Sequence, residues 1–226
     1  MADPSQARPP EDLLGPDTYA AWRASSVGDI TESIERRLIL ELAGDVTGRD
    51  VLDVGCGDGS LAADFREKGA RFVGIDPSRA MIADACERVP GALFCAGTGE
   101  ALPFASESFD LVTAVTVLCF APDAAPIFDE MARVLRPDGR LVIGELGRWS
   151  SWAVGRRLRA WLGSPLWRQG RFRTAGDLRA LAEDAGLAVE RLRGAVYYPR
   201  WTFAARLMAP CDVRLGKRTT LGAAFI

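Results

Sequence analysis

Between Val51 and Ala62 the chain reads VLDVGCGDGSLA, and few folds can accommodate that string. An apolar run ends in an acid, Asp53. Three glycines follow at alternate positions, Gly55, Gly57 and Gly59, and then a helix-compatible run begins. Glycines so spaced permit a tight turn and let a ligand come against the main chain, where a side chain would stand in its way. The helix leaves its first N–H groups unpaired and turns its positive end toward the turn. A second apolar run, RFVGID, ends in Asp76. An acid at the end of the second strand can accept hydrogen bonds from two ribose hydroxyls. Strand, glycines, helix, strand and acid in that order describe a nucleoside-binding crevice at the carboxyl edge of a parallel sheet.

The surrounding rhythm agrees. Residues Met1 to Pro16 are polar and proline-rich and are expected to form a flexible arm; residues 17–226 suit one α/β domain. From Asp17 to Ala43 the pattern is helical, with Ile30, Ile34, Leu38 and Leu42 at four-residue spacing and Gly44 as the stop. Strands are expected at Val51–Val54, Phe72–Ile75, Leu93–Cys95, Leu111–Val117 and Leu141–Ile143. Helices are expected between them at Leu61–Lys68, Arg79–Arg88 and Pro126–Leu135. This alternation implies parallel strands joined by crossover helices. Thr174 reads as the N-cap of a helix ending at Gly186. Leu187–Tyr198 and Thr219–Ile226 read as two late strands. The expected fold is therefore doubly wound α/β, Rossmann-like. Its seven-stranded sheet is mostly parallel with one antiparallel edge strand, and helices lie on both faces.

Composition removes several chemistries. The chain has no histidine, so the usual general base, the commonest metal ligand and the Ser-His-Asp triad are all excluded. Its five cysteines, Cys56, Cys86, Cys95, Cys119 and Cys211, never fall at C-x-x-C spacing. Neither a zinc site nor a disulfide framework is expected, and no metal is. A net charge of −2 exerts no global pull toward nucleic acid or anionic lipid. The N-terminus lacks the basic and apolar regions of a secretory signal, and no apolar run approaches the roughly 20 residues that span a bilayer. A cytoplasmic location is the expectation.

At the glycine turn the spacing is G-x-G-x-G, and here the sequence resembles the class I S-adenosylmethionine-dependent methyltransferases. It resembles especially the type 11 branch, with the ubiquinone and menaquinone C-methyltransferases of bacteria. GEALPFASESFDLV, Gly99 to Val112, is similar to that branch's loop and fourth strand. FDEMARVLRPDGRLVIGE, Phe128 to Glu145, is similar to its next helix, turn and fifth strand. The likeness runs from Tyr19 to Glu190. It implies S-adenosylmethionine as cofactor, with Asp53, Gly55, Cys56 and Gly57 at its methionine end and Asp76 on its ribose. Met81 would lie near the adenine, Gly99, Glu100 and Ala101 would form the loop beside the ring, and Thr116 would face the sulfonium. Thr98 stands where the family usually has an acid that accepts from the adenine amino group. In related enzymes a segment like that of Tyr19 and Trp22 closes over the cofactor, and plain helix packing is the alternative for both residues.

Methyl transfer is an in-line displacement and needs a base only where the nucleophile must lose a proton of high pKa. Glu145, after the fifth strand, and Tyr19 are the catalytic candidates; for Glu145 a structural ion pair is the alternative. Gly147–Arg173 holds four of the six tryptophans, seven arginines and no acid. It is expected to cover the pocket of a small-molecule acceptor, with Trp149, Trp152 and Arg173 toward the substrate. An interfacial helix touching a membrane and a packed helix with solvated arginines are the other readings of that segment. No nucleic-acid motif is present, and the oligomeric state is left open. Two alternatives to a methyltransferase stand: an NAD-dependent oxidoreductase on the same layout, and a non-catalytic subunit that binds the cofactor.

Overall fold

Side chains of strand β1 (Asp50–Val54) enter two different cores in alternation. Val51 belongs to one apolar cluster and Leu52 and Val54 to another. A strand buried on both faces needs a helical layer on each side. One layer is built from α2 (Ser26–Ala43) and α3 (Ser60–Glu67), the other from α5 (Ala125–Val134) and α8 (Ala175–Asp184). The computed structural model describes residues 15–218 and 221–225. The expected arm therefore lies outside the described residues except for Gly15 and Pro16. So do Thr219, Thr220 and Ile226 of the last expected strand.

Five strands run parallel in the order β3-β2-β1-β4-β5. Besides β1 they are β2 (Arg71–Asp76), β3 (Leu93–Ala96), β4 (Phe109–Val115) and β5 (Leu135–Glu145). In-register pairs such as Val51 with Phe72 and Val51 with Leu111 bring the carboxyl ends of β1, β2 and β4 to one edge. The helix α4 (Arg79–Arg88) links β2 to β3. Beyond β5 the sheet continues through β7 (Ala223–Phe225) to β6 (Arg193–Ala195), and β7 is antiparallel to both neighbours. The expectation of an antiparallel edge strand is thus corrected: the antiparallel strand lies one place in from the edge. Glycines make the insertion feasible. A Cβ at Gly144 would meet the Phe225 ring at 2.5 Å, and one at Gly147 would meet the Gly222 carbonyl oxygen at 1.7 Å.

Other boundaries move for local reasons. The expected strand Leu187–Tyr198 is only Arg193–Ala195. Asp212 takes the next two amides, Val196 N at 2.8 Å and Tyr197 N at 3.2 Å, and Val196 adopts a φ of 61°. The aspartate sits on α9 (Thr202–Gly216), a helix the sequence reading does not contain; Pro210 interrupts its pattern. The Trp/Arg segment forms two helices, α6 (Ser151–Trp161) and α7 (Pro165–Gln169). Thr174 caps α8 through a reciprocal box with Asp177, as expected. No described helix is long and apolar enough to cross a membrane.

The single helix expected over Asp17–Ala43 is two, α1 (Pro16–Ala24) and α2, separated by Ser25. The Ser25 hydroxyl donates to the Trp22 carbonyl (2.6 Å) and accepts from Gly28 N (3.1 Å), so one side chain closes α1 and opens α2. The elbow requires Gly28, because a Cβ there would lie 2.0 Å from the Trp22 carbonyl oxygen, a main-chain atom that cannot swing aside. Gly28→Ala should destabilise the protein by about 1–3 kcal/mol, the range for overpacking a filled site. Thermal melting checks this: Tm should fall by several degrees. An unchanged Tm would mean that the elbow is not held in this geometry.

Candidate active site

A cavity of about 880 Å³ opens at the carboxyl edge of β1, β2 and β4. Its floor is the glycine turn. Gly55, Gly57 and Gly59 have φ of 69°, 53° and 73°, values L side chains seldom adopt. The three glycines serve different ends. A Cβ at Gly55 would strike Val117 at 2.3 Å and one at Gly59 would strike Phe94 at 2.9 Å, whereas one at Gly57 would meet no protein atom within 4 Å. Gly57 is therefore the position whose bareness faces open cavity. Gly55 N and Cys56 N donate to the Ile75 carbonyl at 2.7 and 3.0 Å. Asp76 completes the frame, its Oδ2 accepting from Gly57 N at 2.9 Å and its Oδ1 from Ser78 N at 2.8 Å.

The walls are acidic. Glu32, Glu35, Asp53, Asp58, Asp76 and Glu100 all line the cavity. Asp58 is clamped by Arg88 at 2.8 Å and by Arg23 of α1, so the first helix is pinned to the glycine turn. Arg23 also lies over the Tyr19 ring, 4.9 Å from its centroid, and Tyr19 packs against Trp22 at 5.8 Å. Burial, with Glu35 beside it, pushes the Tyr19 phenol up to about 12. Asp53 accepts a 2.6 Å hydrogen bond from the Thr113 hydroxyl, yet burial still pushes its carboxyl up to about 7. Glu35 is pushed to about 7 by burial, against the pull of Arg156. Among the described residues no hydrogen bond or ion pair reaches the Glu35 carboxyl group. Thr116, a β-branched residue with φ 59°, lines the cavity just past β4, held there by its N–H to the Gly144 carbonyl at 2.7 Å.

Desolvated carboxylates around a cavity with a bare main-chain floor suit a ligand that carries positive charge. Known proteins are similar to this chain over much of its length. Residues 52–143 match the methyltransferase domain family. An uncharacterized protein of Mycobacterium tuberculosis (strain ATCC 25618 / H37Rv) is 37% identical, with 87% of this chain and 67% of that one aligned. A ubiquinone biosynthesis O-methyltransferase of Rhodopseudomonas palustris is 30% identical over 71% of this chain and 68% of its own. A SAM-dependent methyltransferase of Thermotoga maritima shares the fold, with a TM-score of 0.73 at 24% identity over 84% and 85% of the two chains.

The chain belongs to the S-adenosylmethionine-dependent methyltransferases. It is an enzyme that transfers a methyl group from S-adenosylmethionine, and the NAD-dependent alternative is set aside. Among the described residues no cluster of His, Cys, Asp and Glu could hold a metal ion.

The methyltransferase's cavity gathers most of the residues singled out in the sequence: Tyr19, Trp22, Asp53, Gly55, Cys56, Gly57, Asp76, Met81, Thr98, Gly99, Glu100 and Thr116. Ala101 is not among its lining, though its N–H closes the loop onto the Thr98 carbonyl at 3.5 Å. Glu145 is also elsewhere. It is buried, and its Oε1 accepts from Leu118 N at 2.7 Å, so it anchors the short turn Leu118–Phe120 after β4. The three substrate candidates are not brought to the cavity either. Trp152 is buried and donates Nε1–H to the Tyr198 carbonyl at 2.7 Å. Trp149 is exposed on the outer surface with Arg148 over its ring at 5.6 Å. Arg173 donates to the Leu118 carbonyl. The segment does reach the cavity, through Arg168, Gln169 and Arg171.

Sequence reasoning missed Glu32 and Glu35. The apolar stripe of α2 drew attention to its core face, while these acids, one turn apart, looked like solvated charges. The available signal was their spacing with Arg36 and Ile39, which puts all four on the face beside the stripe.

The buried Asp53 has a measurable consequence. Its folded pKa is raised from 3.8 to about 7, so the folded state holds the proton more tightly. Its contribution to stability is present below about pH 4 and is lost as pH rises toward 7. Asp53→Asn removes that loss. The Tm of the variant minus that of the native chain should increase between about pH 4 and 7 and level off above. A difference independent of pH would show that Asp53 is not desolvated in the folded enzyme.

Proposed function

We propose that the methyl acceptor is a small molecule that shares this cavity with S-adenosylmethionine, and that the chain's own acids handle charge at both ends. The observation that carries the reading is the set of buried carboxylates around an uncovered glycine floor. S-adenosylmethionine, when bound, supplies a methyl group activated by a positively charged sulfur. Asp53, Gly55, Cys56 and Gly57 serve its methionine end, where Asp53 offers the counter-charge that its apolar surroundings lack. Asp76, which lines the cavity beside the glycine turn, meets the ribose. Met81, Thr98, Gly99, Glu100 and Ala101 flank the adenine, Thr98 accepting in place of an acid. Thr116 faces the sulfonium region, and Tyr19 and Trp22 close the cavity from above.

On the acceptor side the residues are Glu35, Phe120, Arg168 and Arg171. Arg156 lies between the rings of Trp152 and Trp167, at 5.3 and 4.9 Å, and its charge acts on Glu35. Trp167 in turn packs against Phe120 at 6.2 Å. The influence of Arg156 on Glu35 supports reading Glu35 as facing the α6–α7 end of the cavity. A carboxylate held near neutrality suits removal of an acceptor proton. Glu35 thus replaces Glu145 as the proposed base, because Glu35 lines the cavity and Glu145 does not. The basic rim formed by Arg168 and Arg171 favours an acceptor with an anionic or polar group.

Two tests follow. Gly57→Ala should weaken S-adenosylmethionine at least about tenfold in calorimetric titration by placing a methyl group in the cavity. Gly48→Ala is its control for strain, because Gly48 has a φ of 68° and equally open surroundings but lies in the turn before β1. Equal affinities of the two variants would remove the glycine floor from the cofactor site. Glu35→Gln should lower turnover by roughly 10²–10⁴-fold with cofactor affinity unchanged, the usual scale for losing a general base. Native turnover in that variant would refute the assignment of Glu35.

A further inference from the structure

The charge of this chain is unevenly distributed. Residues 147–173 and 199–218 together carry twelve of its 28 Lys and Arg and one of its 30 Asp and Glu. That one acid, Asp212, is buried and occupied by the Val196 amide. The two stretches are neighbours in space: the Ser151 hydroxyl and Trp152 Nε1–H both donate to the Tyr198 carbonyl, and Arg200 lies over the Trp152 ring at 5.1 Å.

These same stretches carry most of the exposed large apolar side chains among the described residues. On α6, Val154, Leu158, Trp161 and Leu162 stand exposed at positions i, i+4, i+7 and i+8, one face of a helix. At the start of α9, Phe203 and Leu207 stand exposed one turn apart on one face, and Trp201 stands exposed just before the helix begins. Trp161 and Phe203 are each 80% accessible, so these rings contribute almost nothing to the core. Exposed Arg157, Arg159, Arg206 and Arg214 accompany them. Single exposed apolar residues need no explanation, but two stripes among unneutralised arginines do.

We infer that this face docks on an anionic membrane surface, with the tryptophans, Phe203 and the leucines entering the interfacial layer and the arginines meeting lipid phosphates. Charge complementarity selects that occupant. A second copy of the chain would bring the same basic face against itself. Nucleic acid would use the arginines but leave the aliphatic stripe of Val154, Leu158 and Leu162 without a partner. An interface of lipid headgroup and acyl chain uses both. Arg168, on α7, is held to α6 by its bond to the Ala160 carbonyl at 3.3 Å, and it also lines the cavity. Docking through this face therefore brings part of the cavity's rim close to the lipid.

The test is co-sedimentation of the full chain with vesicles of phosphatidylcholine alone and of phosphatidylcholine mixed with phosphatidylglycerol. Binding to the mixed vesicles should be at least about tenfold tighter and should weaken as salt is raised. The double variant Trp161→Ser, Phe203→Ser should lose at least about tenfold in binding to the mixed vesicles, while its cofactor affinity and Tm stay native because both rings are outside the core. The inference is overturned if the native chain ignores anionic vesicles, or if the double variant binds them as tightly as the native chain. It is equally overturned if the chain without lipid is a dimer that the double variant dissociates, or if a single-stranded oligonucleotide displaces the vesicles.

Discussion

The carboxylate of Asp76 is the joint on which the catalytic edge of the sheet depends. It accepts from Gly57 N and from Ser78 N, so one side chain fixes both the glycine turn after β1 and the lead into α4 after β2. Parallel pairing of the two strands delivers these loops to the same edge but cannot set their distance, because pairing ends at Val54 and Ile75. The Ile75 carbonyl, taken by Gly55 N and Cys56 N, continues the strand contact by one step, and the aspartate completes it. Gly55 and Gly57 enter the left-handed region without strain because they carry no side chain, and these bonds fix where they lie.

That frame explains why so much charge can be buried in one cavity. A lone desolvated carboxylate is expensive, and the elevated pKa of Asp53 and Glu35 expresses the cost. In the proposed reading the cationic cofactor relieves that cost at Asp53 when it binds, so the site gains selectivity for positive charge from an acid that weakens the empty fold. Asp58 shows the other solution. It has its own cations, Arg23 and Arg88, and through Arg23 it holds α1 over the opening. Asp53 and Asp58 thus differ in their partners: a threonine hydroxyl meets the first, and two arginines meet the second.

What the sequence reveals follows from how local the physics is. The five parallel strands, the glycine turn and the capping box at Thr174 rest on residues close in the chain, and each is legible. The antiparallel strand inside the edge rests on Gly144 and Gly147 having no side chain where Phe225 and Gly222 approach, some eighty residues later. A glycine in a strand gives no hint of what will come against it. The helix after Trp201 was hidden by Pro210, and the elbow at Ser25 by an unbroken helical pattern. At the site, residues tied to the motif line the cavity. Trp149, Trp152 and Arg173 do not, because composition locates a segment and leaves the direction of each side chain to packing.

The Trp/Arg segment shows how one composition is divided among several tasks. Trp152, Trp167 and Arg156 turn inward and stack, supporting the wall that carries Phe120. Arg173 and Glu145 both hold the turn at Leu118, one through its carbonyl and the other through its amide, so the loop after β4 is fixed from two sides. Arg168 and Arg171 reach the cavity rim, and Trp149, Leu158 and Trp161 face out. Such a segment links the cavity to the surface, since its outer stripe lies on α6 while Arg168, which lines the cavity from α7, is tied to α6 at the Ala160 carbonyl. A side chain's place in that division follows from its helical phase: Trp152 and Arg156 share the inward face of α6, while Leu158 and Trp161 share the outward one.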